Sequence, residues 1–446
     1  MTLKRSMYNI EIEKLDNGDI LLYNTKSSAL GILNKDTQEI YYNDIINEAI
    51  INNEKIKESI QIMVQNGFLV DANIDEYKTV QVTERMARYN GDRFSLSIAP
   101  TLDCNMACPY CYEDKKQKRM NESVIISLID FVKKNMEMTK PKHFSVCWYG
   151  GEPLLEKEII RRLSKEFINI CKEKQITYSA QIITNGYLLD YNTAIMLKEE
   201  CMVTNTQITV DGINETHNKR RILKNGQDSF NIITNNIDMC KKVLEINIRV
   251  NLDKANINEA EELINYFIDY RKWGQDVSFY FAPVAKRPTE ACNANSGLCY
   301  SMLEFGDIET SLLKKMYSKN NCNFIKKACP QSTATGCGAL TINSFVVDPD
   351  GYLYACWDLI GVKDHCIGNI WDGPITNKEY LDWLSLDLPE ECTKCNLVCL
   401  CQGGCAHIRL QNGNQPNCTH KTISYKENLK ILYSEYIKSL NLKDAK

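Results

Sequence analysis

Apolar and polar positions follow two different rhythms along this chain. Residues 8–42 hold short β-prone runs, YNIEIEKL, DILLYNT, ALGILN and EIYY, parted by turn signals such as DNGD. From Tyr42 to about Val70 the apolar positions Ile45, Ile46, Ile50, Ile51, Ile60 and Val64 take core-like helical spacings. The stretch NGFLVD closes this unit near residue 75. A small α+β module is predicted over residues 1–85. From about residue 92 six apolar, β-prone segments follow: FSLSIAPTL, HFSVCWYGG, SAQIITNG, NTQITVDG, INIRVNLD and VSFYFAPV. Most are followed by an amphipathic helical segment.

Strands alternating with helices predict βα units on a parallel sheet. Six units are too few for a closed eight-fold barrel, so a partial (β/α)6 TIM-type barrel is expected over residues 92–320. The fold class is α/β, with the N-terminal module winged-helix-like. The residues suited to chemistry sit at the C-terminal ends of the strands, the face that carries active sites in βα barrels. A cysteine triplet follows strand one, Gly150-Gly151-Glu152-Pro153 strand two, Thr184-Asn185-Gly186 strand three and Asp211-Gly212 strand four. Beyond residue 320 the rhythm stops. Residues 321–425 are loop-rich and cysteine-rich, lack apolar runs for a core of their own, and need a staple. A helix closes the chain over 426–446.

Composition removes several function classes. The 446 residues are 44% hydrophobic and 25% charged, with a net charge of −4. No basic tract suggests nucleic acid, and no apolar run is long enough for a membrane span. The first residues carry no signal-peptide core, so the expected location is cytoplasmic. There the 20 cysteines, set against five histidines, point to metal or catalysis rather than disulfides. They crowd between Cys322 and Cys418.

The stretch CNMACPYC places Cys104, Cys108 and Cys111 in a C-x3-C-x2-C pattern. A [4Fe–4S] cubane wants one thiolate per iron. Three protein thiolates leave one iron open to another ligand. With Tyr110 before the last cysteine, this loop resembles that of radical S-adenosylmethionine (SAM) enzymes. The resemblance implies that SAM chelates the open iron and is cleaved to a 5′-deoxyadenosyl radical, which takes a hydrogen from an unactivated carbon. Gly150-Gly151-Glu152-Pro153 resembles the family's GGEP motif, which contacts the SAM amino group. Thr209 matches the family's usual serine near the SAM ribose or carboxylate. Arg221, next to Arg220, matches an arginine that pairs with the carboxylate. Thr184 and Asn185 join them as SAM-pocket residues.

The tail spacing Cys337-x13-Gly351-x4-Cys356, then Cys392-x2-Cys395-x5-Cys401-x3-Cys405-x12-Cys418, resembles the SPASM domain of peptide and sulfatase maturases. That implies two auxiliary [4Fe–4S] clusters, three clusters in all. Cys337, Cys356 and Cys405, with Cys329 as fourth ligand, fall to the first. Cys392, Cys395, Cys401 and Cys418 fall to the second, with Cys399 a competitor and zinc the alternative metal. Cys147, Cys171, Cys201 and Cys240 read as small core hydrophobes. Cys292, Cys299, Cys322 and Cys366 fit no motif.

This architecture implies a peptide or protein substrate. Residues 1 to about 80 resemble a RiPP recognition element, which implies a precursor peptide held by its leader through strand addition. A reductant such as flavodoxin or ferredoxin is expected, as is an anaerobic host. The favoured product is a thioether from cysteine sulfur to a peptide carbon. The alternatives are a carbon–carbon crosslink, or formylglycine formation as in anaerobic sulfatase maturases. Sulfatase maturases carry an aspartate directly after the cysteine matching Cys356; here Trp357 stands there and Asp358 follows. Asp358 is the expected proton acceptor. A non-catalytic electron carrier has no use for the GGEP motif or an open-iron triplet.

Overall fold

In the computed structural model, residues 1, 44, 48–52, 114–116, 285–296, 320–328 and 445–446 and the side chains of 439–444 are not described. The N-terminal stretch runs β1 (Thr2–Arg5), β2 (Asn9–Lys14), β3 (Ile20–Asn24), β4 (Leu30–Leu33), α1 (Lys35–Tyr41), β5 (Ile46–Asn47), α2 (Glu54–Gln65), β6 (Leu69–Asp71) and α3 (Glu76–Arg88). It makes two antiparallel three-stranded sheets, β5-β1-β6 and β2-β3-β4. EIYY is not a strand. Asn34 caps a helix there, its side chain accepting from the Thr37 backbone N–H at 3.0 Å, and Tyr41 turns inward. Ile46 and Ile60 are core, but Ile45 is 64% exposed and Val64 37%. Ile50 and Ile51 lie outside the described residues.

The chain divides into two compact units, Met1–Arg88 with Met302–Cys337 and Leu386–Lys446, and Tyr89–Ser301 with Gly338–Ser385. In the first, the cysteine-rich tail has no core of its own. Ile10, Ile12, Leu21 and Tyr23 of β2 and β3 bury against Tyr425 and Leu429 of the closing helix Lys421–Asp444, with Leu397 and Leu400 beside them.

In the second unit the strands are β7 (Arg93–Ile98), β8 (His143–Trp148), β9 (Thr177–Thr184), β10 (Val203–Thr209), β11 (Glu245–Leu252) and β12 (Val277–Pro283). All six are parallel and lie in chain order. Helices α4 (Glu122–Thr139), α5 (Lys157–Lys174), α6 (Tyr191–Glu199), α7 (Glu215–Arg220), α8 (Phe230–Cys240) and α9 (Ala260–Asn265) fall between them. Beyond residue 320, β13 (Ser344–Val347) joins the same sheet, parallel to β7, and turns back into β14 (Tyr352–Tyr354), β15 (Gly368–Asn369) and β16 (Gly373–Pro374). The Asp348 carboxylate holds that turn, accepting from the N–H groups of Asp350 and Tyr352 and from the Tyr354 hydroxyl.

Side chains alternate across a strand, so each strand presents two faces. One face is apolar and packs under the helices: Phe94 lies edge-on to Phe131 of α4, and Phe144 to Phe167 of α5. The other is polar. Ser95 meets Ser145 at 2.8 Å, His143 meets Ser179 at 3.0 Å, and Tyr280 donates to Gln207 at 2.8 Å. A polar sheet face calls for something polar to fill it. Among the described residues, no helix is long and apolar enough to cross a membrane.

Candidate active site

The cysteine loop leaves β7 and is pinned from two sides. Ala107 N–H donates to Ile222 C=O at 2.7 Å, Lys224 N–H to Asn105 C=O at 2.9 Å, and buried Met106 bridges buried Leu223. On the other side the backbone after β8 runs along the loop's root, with Gly151 N–H on Thr101 C=O at 3.2 Å and Glu152 N–H on Asp103 C=O at 2.9 Å. This is why the two glycines are glycines. A Cβ on Gly151 would sit 2.2 Å from the Asp103 carbonyl oxygen. Gly150 has φ +112°, and its Cβ would sit 2.5 Å from that of Thr101. Their place in the motif thus serves backbone-on-backbone packing as well as any ligand.

Cys104, Cys108, Tyr110, Cys111, Gly150, Gly151, Thr184, Asn185, Thr209, Arg221 and Asp358 all line one cavity. Glu152 does not. It is fully buried behind the wall, its Oε1 accepting from Leu154 N–H (3.0 Å) and Thr184 Oγ1 (2.7 Å), its Oε2 from Asn185 N–H (2.7 Å). Burial raises its pKa in spite of these donors. Glu152 therefore positions Thr184 and Asn185, and Asn185 in turn donates to Asn105 of the cysteine loop at 2.6 Å. Burial and the nearby Glu152 carboxylate push the Cys104 thiol up to about 12, while Met106 N–H points at its sulfur from 3.4 Å. A metal ion is what such a thiol needs in order to lose its proton.

The neighbouring arginines part company. Arg220 is buried, its Nη1 donating to both carboxylate oxygens of Asp253 at 2.9 and 3.0 Å, and lies over the Tyr110 ring at 4.9 Å. Arg221 reaches the cavity and donates to Tyr110 Oη at 3.2 Å, and Tyr110 donates to Asp211. Burial works against the Arg221 charge, but Cys108, Tyr110 and Asp211 outweigh it. Burial and Asp211 hold the Tyr110 phenol protonated. The Arg221 Nε is buried and has no hydrogen-bond partner among the described residues. An anchored cation with an unspent N–H beside three thiols fits an iron–sulfur cluster with a carboxylate-bearing ligand. Asp211 is one of the strand-end residues expected at the rim, but no spacing rule reveals that its carboxylate joins Tyr110 to the N–H of Asn251 (2.8 Å).

On the same wall, Trp357 stacks on Tyr149 at 4.7 Å, and Asp358 is buried with a carboxylate oxygen within 4.8 Å of Cys356 Sγ. In the other unit, Cys392, Cys395, Cys401 and Cys418 lie close enough to act on one another. Burial first, then the other three sulfurs, push the Cys392 thiol up to about 11. The Cys418 arm is delivered by a bridge between Gly404 and Asn417, where a Cβ on Gly404 would sit 1.7 Å from the Asn417 carbonyl oxygen. Arg409, 1% exposed, lies near the Cys392 and Cys401 sulfurs, yet its hydrogen bonds go to the carbonyls of Gln402 and Asp387 and the Asn414 amide. Its charge suits a centre of negative metal thiolates. Cys399 is buried with Tyr8, Val80 and Val398 in a cluster that also takes in Cys392 and Cys395. Cys329 is half-buried beside Gln331, Cys337 precedes a short helical turn, and Cys405 caps Ala406–Gln411. Cys147, Cys171, Cys201 and Cys240 are buried, and Cys292 and Cys322 lie outside the described residues.

Residues 98–267, which carry the triplet and strands β8–β11, match the Radical SAM superfamily. The chain carries a radical SAM oxidoreductase domain. It is 26% identical over 384 residues to the cysteine-type anaerobic sulfatase-maturating enzyme of Clostridium novyi, covering 78% of this chain and 96% of that one. It is 22% identical over 459 residues to the radical SAM cyclopropyl synthase TigE of Paramaledivibacter caminithermalis, covering 90% and 89%. Streptococcus suis SuiB bound to precursor peptide SuiA shares its fold with a TM-score of 0.53 at 14% identity, over 95% of this chain and 99% of that one.

Proposed function

We propose that this radical SAM enzyme modifies a peptide, taking a hydrogen from one of its carbons and forming a carbon–carbon bond. The observation that carries the reading is the single cavity in which the Cys104–Cys108–Cys111 loop meets Gly150, Thr184, Asn185, Thr209 and Arg221. When bound, a [4Fe–4S] cluster with SAM supplies one-electron reduction and a 5′-deoxyadenosyl radical that accepts the hydrogen. The chain's own groups do the rest. The three thiols hold the cluster, Gly150 and Gly151 keep its loop in place, and Arg221 holds the SAM carboxylate. Tyr110, Arg220 and Asp211 keep Arg221 in position. Asp358 accepts the proton released from the peptide as the new bond closes, and the electron released with it would go to an auxiliary iron–sulfur cluster held by the tail's cysteines. The open, six-stranded parallel sheet we take as a partial barrel whose polar face surrounds the substrate.

Peptide modification is supported by the sulfatase-maturating relatives and by the fold shared with a protein bound to a precursor peptide. The cyclopropyl synthase matches 90% of the chain and SuiB 95%, and we take the N-terminal stretch as a leader-binding module. The sulfatase-maturating enzyme leaves about a fifth of the chain unmatched. The cyclopropyl synthase favours a carbon-centred outcome over the thioether expected from sequence. A second reading, oxidation of a cysteine or serine side chain to an aldehyde, is favoured by the higher identity of the sulfatase-maturating relatives. We further propose that Cys392, Cys395, Cys401 and Cys418 hold one auxiliary cluster.

The test is to incubate anaerobic, iron-loaded enzyme with SAM, a reductant and the small peptide encoded beside its gene. Loss of two hydrogens with every thiol still alkylatable and no hydrazine-reactive carbonyl supports a carbon–carbon bond, whereas the same loss with such a carbonyl gives the aldehyde from serine. Loss of a thiol with sulfur retained returns the thioether; loss of sulfur itself gives the aldehyde. An unmodified peptide and no 5′-deoxyadenosine would refute the reading.

A further inference from the structure

β11 alternates apolar and polar along INIRVNL, so Arg249 and Asn251 share the polar face. Parallel register sets Arg249 beside Thr209 on one side and Tyr280 on the other. The guanidinium is held in one orientation. Its Nε donates to Asn251 Oδ1 at 2.7 Å, and its plane lies 6.0 Å from the Tyr280 ring centre. Asn251 is fixed in turn through its N–H on Asp211. The side chain is half-buried in the wall of the cavity that holds the cysteine triplet.

What Arg249 lacks is an anion. Among the described residues it makes no ion pair, whereas Arg220 has Asp253 and Arg221 is drawn to Asp211 and Tyr110. A guanidinium offers five N–H donors, and among the described residues only one is used. Partial burial without a counter-charge costs stability unless a ligand supplies that charge. The fixed Nε side leaves the terminal nitrogens as a preorganised fork, the geometry that grips a carboxylate bidentately.

We propose that Arg249 is a substrate anchor that binds a carboxylate of the peptide, from an acidic side chain or the C-terminus, and so presents a neighbouring carbon to the cavity. The inference rests on the peptide-substrate reading. The other source of a carboxylate in this cavity is SAM itself, which Arg221 serves.

The test uses calorimetry on the SAM-loaded holoenzyme with three probes: N-acetyl-aspartate N-methylamide, its asparagine counterpart, and succinate. Wild type is expected to bind the aspartyl probe about tenfold more tightly than the asparaginyl one. Arg249→Gln should erase that preference. Arg249→Lys should keep part of it, and carries the test if the glutamine variant does not hold iron. SAM affinity should stay within about twofold in both. Weaker SAM binding with unchanged probe binding would assign the carboxylate to SAM and overturn the proposal. Equal binding of every probe to wild type and both variants would also overturn it. Succinate discriminating while neither peptide probe binds would keep the carboxylate subsite and refute the peptide reading instead.

Discussion

Glu152 and Asn185 are joined by a 2.7 Å hydrogen bond from the Asn185 backbone N–H to a carboxylate that never reaches the cavity. The acid of the GGEP motif acts through its neighbours. Glu152→Gln should confront the Asn185 or Leu154 N–H with an amide donor, costing about 1–3 kcal/mol. SAM affinity should fall while iron content holds, because Thr184 and Asn185 lose their support and the thiols do not. A calorimetric SAM titration beside an iron assay checks this. Iron lost in step with SAM binding would contradict it.

Gly151→Ala should have the opposite signature. A Cβ at 2.2 Å from the Asp103 carbonyl must displace the root of the cysteine loop. About four irons per chain should be lost with the triplet's cluster, leaving the tail's iron in place. Iron and sulfide assays of the purified variant decide it.

Cys399 and Cys401 are two residues apart and should behave differently. Cys401 faces Cys395 and Cys418, while Cys399 packs against Tyr8 and Val80. Cys401→Ala should cost an auxiliary cluster. Cys399→Ala should keep it and cost about 1 kcal/mol of packing. Reversal of the two in iron content would refute the assignment.

Arg409 lies near the Cys392 and Cys401 sulfurs, with only neutral hydrogen-bond acceptors. Removing a buried positive charge favours the less negative, oxidised state of the centre. Arg409→Gln should therefore lower its reduction potential, and Arg409→Lys should restore part of it. A redox titration followed by electron paramagnetic resonance measures both, and an unmoved potential would exclude the charge effect.

Asp238 supplies a pH-dependent part of stability in the second unit. It accepts from Trp273 Nε1 at 2.7 Å, Lys241 Nζ at 3.0 Å and Arg271 Nη1 at 2.6 Å. Burial pushes its pKa up, but these partners outweigh burial and hold it below the ordinary value. The stabilisation is therefore complete above the ordinary carboxylate range, near pH 4, and is lost as pH falls through the folded value. Asp238→Asn should cost about 1–2 kcal/mol at neutral pH and converge on wild type in acid. Denaturation curves at several pH values check the convergence.

Much of this was legible in the sequence. The six strands were, because each apolar run ends in a turn residue such as Gly186 or Gly212. So was the meeting of Cys104, Cys108 and Cys111 in one cavity, because the three lie on one short loop after a strand. EIYY misled because its β-branched and aromatic residues favour a strand, whereas Asn34 and Thr37 cap a helix. The addition of β13 to the sheet depends on pairing across more than two hundred residues, which no local pattern encodes. INIRVNL showed its alternation plainly, but the bare charge of Arg249 appears only once its neighbours are in place. The choice between Arg220 and Arg221 likewise awaited Asp253.

The most direct test of the central claim is 5′-deoxyadenosine release by anaerobic enzyme given SAM and a reductant, with Cys104, Cys108 and Cys111 changed together to alanine as the comparison. Release by wild type and none by the variant, with the variant's tail iron retained, is the predicted result. Equal release by both, or zinc in place of iron in wild type, would contradict the assignment of this cavity to radical SAM chemistry.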